Sequence, residues 1–183
     1  MRKLLCALAL LAGPAGATGL EITIAGEANG KVVVDLFEDT APAHVEQITK
    51  LAAEGAYDNV VFHRVIDGFM AQTGDVEFGD TADGLNMGRA GTGGSQYPDL
   101  KAEFSNIPYD RGIIGMARSR NPNSANSQFF IMFAPAPHLN GQYTVVGKVI
   151  SGMEVVDDIK RGTGGNGAVI GDPDRMSSVI VTD

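Results

Sequence analysis

The segment Phe62-His63-Arg64-Val65-Ile66-Asp67-Gly68-Phe69-Met70-Ala71-Gln72 sets an arginine, a glutamine, a methionine and two phenylalanines within the length of one β-hairpin. Asp67-Gly68 is a strong turn signal, because glycine takes φ > 0 without steric cost. A three-residue connection through Asp67, Gly68 and Phe69 pairs Arg64 with Gln72 and Ile66 with Met70. Cross-strand partners share a face, so a guanidinium, an amide and a thioether then stand side by side. A two-residue turn slips the register by one and sends Gln72 to the other face; the three-residue form is expected. An ordinary core hairpin with Arg64 in a structural salt bridge fits the stretch equally well, and the stretch alone does not separate the two.

The rest of the chain reads as short β segments between glycine-rich turns, with two helices. Ile22–Ala25 and Lys31–Phe37 flank Asn29-Gly30 as a hairpin. A helix is predicted from Pro42 to about Glu54, with Thr40 as N-cap, proline tolerated in the first turn and Gly55 as the stop. Its Val45, Ile48, Leu51 and Ala52 recur at helical spacing and face a sheet. Val60–Val65, Phe69–Thr73, Ile113–Ala117, Gln128–Phe133, Thr144–Ile150 and Ser178–Thr182 are further strands. A second helix from about Gly152 to Lys160 buries Met153, Val156 and Ile159. Short strands without βαβ alternation, repeats or linkers indicate one all-β domain, a closed antiparallel barrel with the helices over its open ends. The stretch from Val76 to Asn106 is loop-rich, and long ordered loops are more often functional than incidental. Asp75, Glu77, Asp80 and Asp83 have no EF-hand spacing and read as a solvated loop.

The amino terminus has a different character. Arg2 and Lys3 precede an apolar run from Leu4 to Ala12, and Ala15-Gly16-Ala17 supplies the small-x-small pattern of a signal peptidase site. That run is too short to cross a bilayer, which takes ~20 apolar residues. Cleavage after Ala17 is expected, dividing the chain into a signal peptide, 1–17, and a domain, 18–183, of 183 − 17 = 166 residues. The only cysteine, Cys6, leaves with the signal, which excludes a cysteine nucleophile or cysteine-ligated metal in the mature chain. Removing two cations takes the net charge from −8 to −10. A domain that acidic repels phosphate backbones and anionic lipid, so neither nucleic acid nor membrane is an expected partner.

A second segment, Asn126-Ser127-Gln128-Phe129-Phe130-Ile131-Met132-Phe133, is followed by His138-Leu139-Asn140-Gly141 and Val145-Val146-Gly147-Lys148-Val149. With the first segment, Gly91-Thr92-Gly93-Gly94 and Gly112-Ile113-Ile114-Gly115-Met116-Ala117, it resembles the cyclophilins, the cyclosporin-type peptidyl-prolyl cis-trans isomerases. The likeness runs from about Gly30 to about Arg161, and in pattern it is nearest to bacterial, exported members. It implies a barrel of about eight strands, a periplasmic location, no cofactor or metal, and proline-containing unfolded or partly folded polypeptides as partners of a monomer.

The resemblance also implies roles. Phe69, Met70, Phe130 and Leu139 match the proline pocket, and Arg64 matches the arginine that donates toward the prolyl carbonyl and imide nitrogen. Gln72 matches the residue that orients this arginine; Ala117 and Gln128 match groove positions for residues preceding the proline. Gly88, Gly91, Gly93 and Gly94 resemble the loop beside the groove. Phe129, next to Phe130 in a strand, faces the other way into the core. His63 reads as structural and His44 has no matched role. Three positions depart from the vertebrate form: His138 stands for a tryptophan, Tyr143 for a histidine and Arg118 for an asparagine. His138 and Tyr143 remain expected substrate contacts, but His138 removes the indole rim that cyclosporin contacts, so weak drug binding is expected.

Such an activity accounts for the lack of a Ser/His/Asp pattern or metal cluster. Rotation about X–Pro breaks amide resonance over ~18–20 kcal/mol and takes ~10–100 s unaided. Millisecond turnover needs roughly 5.5–7 kcal/mol of transition-state stabilisation, with no bond made or broken. A proline-binding module without catalysis needs the pocket but not the arginine.

Overall fold

The computed structural model describes residues 18–183, so the expected signal peptide and Cys6 lie outside the described residues. Nine strands form one antiparallel sheet: β1 Gly19–Ala25, β2 Gly30–Leu36, β3 Val60–Val61, β4 Arg64–Ile66, β5 Met70–Thr73, β6 Ile113–Met116, β7 Phe129–Met132, β8 Val145–Ser151 and β9 Arg175–Thr182. Their order is β3-β9-β1-β2-β8-β6-β7-β5-β4. The expected closed, eight-stranded barrel is therefore a nine-stranded curled sheet whose edges, β3 and β4, are joined by the chain and not by a ladder. The predicted continuous strand from Val60 to Val65 breaks because the chain changes partners there. The Phe62 amide donates to the Asp174 carbonyl, whereas the His63 carbonyl accepts the Val169 amide.

Helix α1, Pro42–Ala53, packs on β9 and buries Val45, Ile48, Leu51 and Ala52 as its spacing predicts. Its start differs from expectation. Thr40 is not the N-cap; Ala41 is, without a side-chain cap. The free amides of Ala43 and His44 instead donate to the Glu103 carboxylate at 3.3 and 3.2 Å, and the buried His44 ring holds the same carboxylate through Nδ1 at 2.6 Å. Orphan helix amides need an acceptor, and a distant loop supplies it. Helix α2, Met153–Asp157, is shorter than predicted and packs against β2 with Val156 fully buried; Ile159 is buried beyond its end. Among the described residues no helix is long and apolar enough to cross a membrane.

Strand alternation divides the apolar residues into two clusters. Phe129 and Ile131 point inward with Ile22, Val34 and Ile114, under α1. Phe130 and Met132 point the opposite way and pack with Met70, Tyr109, Ile113, Leu139 and Val145 on the other face. Phe129 is thus a core residue, and Phe130 belongs to the outer cluster.

The acidic loop is not uniformly solvated. Asp75 is fully buried and its carboxylate accepts four backbone N–H groups, from Glu77 and Phe78 at 3.2 and 2.9 Å and from Gly91 and Gly93 at 2.6 and 2.9 Å. A buried carboxylate requires such donors, and here they tie both ends of the 75–93 loop together. Glu77 and Asp83 are exposed as expected, and Asp80 caps the Ala82 amide.

Candidate active site

The turn at Asp67-Gly68-Phe69 takes the three-residue form. Gly68 has φ +66°, and β4 pairs with β5 as Arg64 with Gln72, Val65 with Ala71 and Ile66 with Met70. The same row continues across the sheet: Gln72 lies opposite Phe130 on β7, and Phe130 opposite Gly115 on β6. Cross-strand partners share a face, so register alone brings Arg64, Gln72 and Phe130 together. A Cβ on Gly115 would overlap the Tyr109 hydroxyl and the tip of the Phe130 ring. Glycine there lets Phe130 lie flat, 5.8 Å from the Tyr109 ring and nearly parallel to it at 25°.

Over this row opens a cavity of about 320 Å³. Every expected site residue except Gln128 lines it: Arg64, Phe69, Met70, Gln72, Ala117, Phe130, His138, Leu139 and Tyr143, and Arg118 joins them. Met70, Phe130 and Leu139 are buried, forming an apolar floor. Tyr143 meets Phe130 edge-on, with centroids 5.9 Å apart, and the exposed His138 ring stacks on Phe69 at 5.8 Å. A 3₁₀ turn, Pro137–Leu139, carries both His138 and Leu139 to the rim. Gln128 lines an adjoining cavity of about 250 Å³, with Gly91 and Gly93 on its wall. The two cavities share Gln72, Ala117 and Arg118, so they form one groove. Gly88 and Gly94 are not among its lining residues.

Arg64 is held by neutral acceptors. Its Nη1 donates to Gln72 Oε1 at 3.1 Å, its Nε to the Asn166 carbonyl at 2.9 Å and its Nη2 to Asn166 Oδ1 at 3.1 Å. It makes no ion pair among the described residues, so the structural salt bridge is not the reason for its presence. Partial burial pulls the guanidinium pKa down from its usual value, with Tyr143 opposing. From Gln72 the chain of bonds runs on: Nε2 donates to Gln128 Oε1 at 3.0 Å, and Gln128 Nε2 donates to the Gly93 carbonyl at 2.8 Å. Asp75 fixes Gly93 through its amide.

Two members of this network escape sequence reasoning. Asn166 contacts Arg64 from 102 positions away; its only local signal is the Gly164-Gly165-Asn166-Gly167 run, which suits the left-handed φ of +56° that Asn166 adopts. Asp75 was legible only as one acid among several. His63 is structural in its surroundings: burial lowers its pKa to about 4, against an opposing pull from Asp75. Among the described residues no cluster of three or more His, Cys, Asp or Glu is placed to hold a metal ion.

Residues 20–181 match the family model for the cyclophilin type peptidyl-prolyl cis-trans isomerase/CLD. The chain belongs to the cyclophilin-type peptidyl-prolyl cis-trans isomerases. A probable peptidyl-prolyl cis-trans isomerase of Brucella suis is 62% identical over 153 residues, 84% of this chain and 78% of the relative. The isomerase CYP18-1 of Arabidopsis thaliana is 40% identical over 138 residues, 75% of this chain and 81% of that protein. Among solved structures, a cyclophilin type peptidyl-prolyl cis-trans isomerase of Cryptosporidium parvum superposes with a TM-score of 0.75 at 29% identity, covering 92% of this chain and 99% of that one. Peptidyl-prolyl cis-trans isomerase activity follows from the family.

Proposed function

We propose that this cyclophilin is exported to the periplasm and accelerates X–Pro rotation in proteins folding there, with Arg64 as the group that acts on the transition state. The observation that carries the reading is a guanidinium held by three neutral acceptors at the edge of an apolar cavity, with no carboxylate within ion-pair distance among the described residues. Phe69, Met70, Phe130 and Leu139 hold the proline ring. Ala117 and Gln128 hold the backbone preceding it, and His138 and Tyr143 flank the rim. As the amide twists, its nitrogen becomes pyramidal and gains a lone pair, and a donor aimed at it favours the twisted form. A charged donor in a partly dry site supplies several of the roughly 5.5–7 kcal/mol required. Gln72, tied to Gln128 and through it to Gly93, keeps that donor oriented. The chain acts without cofactor or metal, as a monomer, on unfolded or partly folded polypeptides. Its mature charge of −10 keeps it off nucleic acid and anionic lipid.

A protease-coupled assay on an Ala-Pro-Phe-type peptide tests the mechanism. Arg64→Ala lowers kcat/KM by about ten-fold or more, ~1.4 kcal/mol, with the fold retained; unchanged turnover in a folded variant sinks it. Intact-mass measurement on protein from the exported fraction tests the location, the expected mature chain beginning at Thr18. A mass that still includes Cys6 shows that no signal was removed.

A further inference from the structure

Among the described residues the groove carries no acid. The chain has 22 Asp and Glu against 14 Lys and Arg, yet no carboxylate lines the apolar cavity, its neighbour, or a third cavity beside Arg64 and His63. Two guanidiniums line them instead. One is Arg64. The other, Arg118, sits where the first two cavities meet and lines both. Its guanidinium lies over the Tyr143 ring, 4.2 Å from the centroid. Nη1 donates to the Ser119 carbonyl and Nη2 to the Gln142 carbonyl, each at 2.9 Å. Its Nε is buried and has no acceptor, and no carboxylate lies within ion-pair distance among the described residues. An arginine stacked on an aromatic face and anchored through one N–H of each terminal nitrogen keeps the second N–H of Nη1 and of Nη2 without a protein partner, and with no carboxylate beside it this guanidinium is built to meet an anion entering the groove.

We infer that Arg118 makes the groove selective for polypeptides with an acidic side chain shortly before the proline. This rests on the groove being the peptide site. The cavity that Arg118 shares with Gln128 and Gly93 is the one assigned to residues preceding the proline, so a carboxylate that reaches Arg118 comes from that side. The protein as a whole repels anionic chains, but solvent ions screen that repulsion beyond ~8–10 Å. Within that range the acid-free walls, Arg118 and Arg64 set the local field. The selectivity is therefore for the position of an acid and not for the net charge of the client.

The test is a protease-coupled assay on an Ala-Ala-Pro-Phe-type parent and on peptides with Glu or Lys one or two residues before the proline. The readout is the ratio of kcat/KM for Glu over Lys at the same position. At ~0.1–0.15 M salt, where the long-range repulsion is already screened, the larger ratio reaches about ten-fold. It falls to within about two-fold in ~0.5 M salt, where screening shortens to ~4 Å. It falls likewise in Arg118→Gln, while Arg118→Lys, which retains the charge, keeps a preference of the same sign. Equal turnover of Glu and Lys peptides overturns the inference, as does a preference that survives Arg118→Gln. Turnover of the parent peptide and its loss in Arg64→Ala report separately on the groove itself, so failure of the two readings is distinguishable.

Discussion

Replacing Asn166 by glycine removes one acceptor from Arg64 and leaves the backbone in place. Asn166 has φ +56°, a value glycine takes freely, and its carbonyl bond to Arg64 Nε survives the change. Only the bond from Nη2 to Oδ1, 3.1 Å, is lost. At this exposed edge water replaces part of it, so the net loss is about 0.5–1.5 kcal/mol. Because Gln72 and the Asn166 carbonyl still hold the guanidinium, the cost falls on its alignment, and kcat drops roughly two- to ten-fold. KM, set by the apolar floor of Met70, Phe130 and Leu139, stays within about two-fold. Asn166→Asp keeps the shape but puts a carboxylate against the guanidinium. The ion pair draws the charge back from the cavity, and kcat falls by roughly ten-fold, with partial recovery as salt screens the pair. The assay is protease-coupled kinetics with kcat and KM resolved, with thermal unfolding as the control. An unchanged kcat in Asn166→Gly refutes the reasoning, as does an equal loss in the Arg64→Ala background, where there is no guanidinium left to align.

What was legible in the sequence was whatever short-range chemistry controls. Asp67-Gly68 fixes the turn, the turn fixes Arg64 opposite Gln72, and two-residue alternation then sends Phe130 to the site and Phe129 to the core. The spacing of Val45, Ile48, Leu51 and Ala52 marks the buried face of α1 for the same reason. Features set by distant partners were not legible. Thr40 satisfies local capping rules, yet Glu103, some 60 positions on, takes the helix amides because a loop brings a carboxylate there. Asp75 has the composition of a surface acid, and its burial depends on amides of Gly91 and Gly93 folding back onto it. The break between β3 and β4 follows from Phe62 and His63 finding partners near the far end of the chain, at Asp174 and Val169. Asn166 belongs to this class too. The arginine and its glutamine are neighbours through one hairpin, but the third side of its cradle arrives from another part of the fold.

Asp75→Asn presents an NH₂ to amides that need an acceptor, and because each carboxylate oxygen accepts two of them, either orientation leaves two N–H groups unpaired. Urea unfolding registers a loss of about 2–4 kcal/mol, and a loss under ~0.5 kcal/mol means the loop does not depend on the carboxylate. His63 gives stability a pH dependence: its folded pKa of about 4, lowered by burial, lies below the ~6.5 of the unfolded chain. Between those values the unfolded chain binds a proton that the folded one refuses, so the His63 contribution falls as pH drops from 6.5 toward 4, by up to ~3 kcal/mol. The stability difference between the natural chain and His63→Gln shrinks accordingly in urea titrations from about pH 7 to 4.5; a difference that does not vary with pH refutes the assignment. Cyclosporin binds far more weakly than to a cyclophilin with tryptophan at the rim, because the exposed His138 ring, already stacked on Phe69, offers ~50–80 Å² less apolar contact, worth ~1–2 kcal/mol, and the lost indole donor adds ~1 kcal/mol. Inhibition titrations then show a deficit on the order of 30-fold or more, part of which His138→Trp restores; since the floor of Met70, Phe130 and Leu139 is the same in both forms, tight inhibition of the natural chain, or no gain from the tryptophan, removes position 138 from the rim.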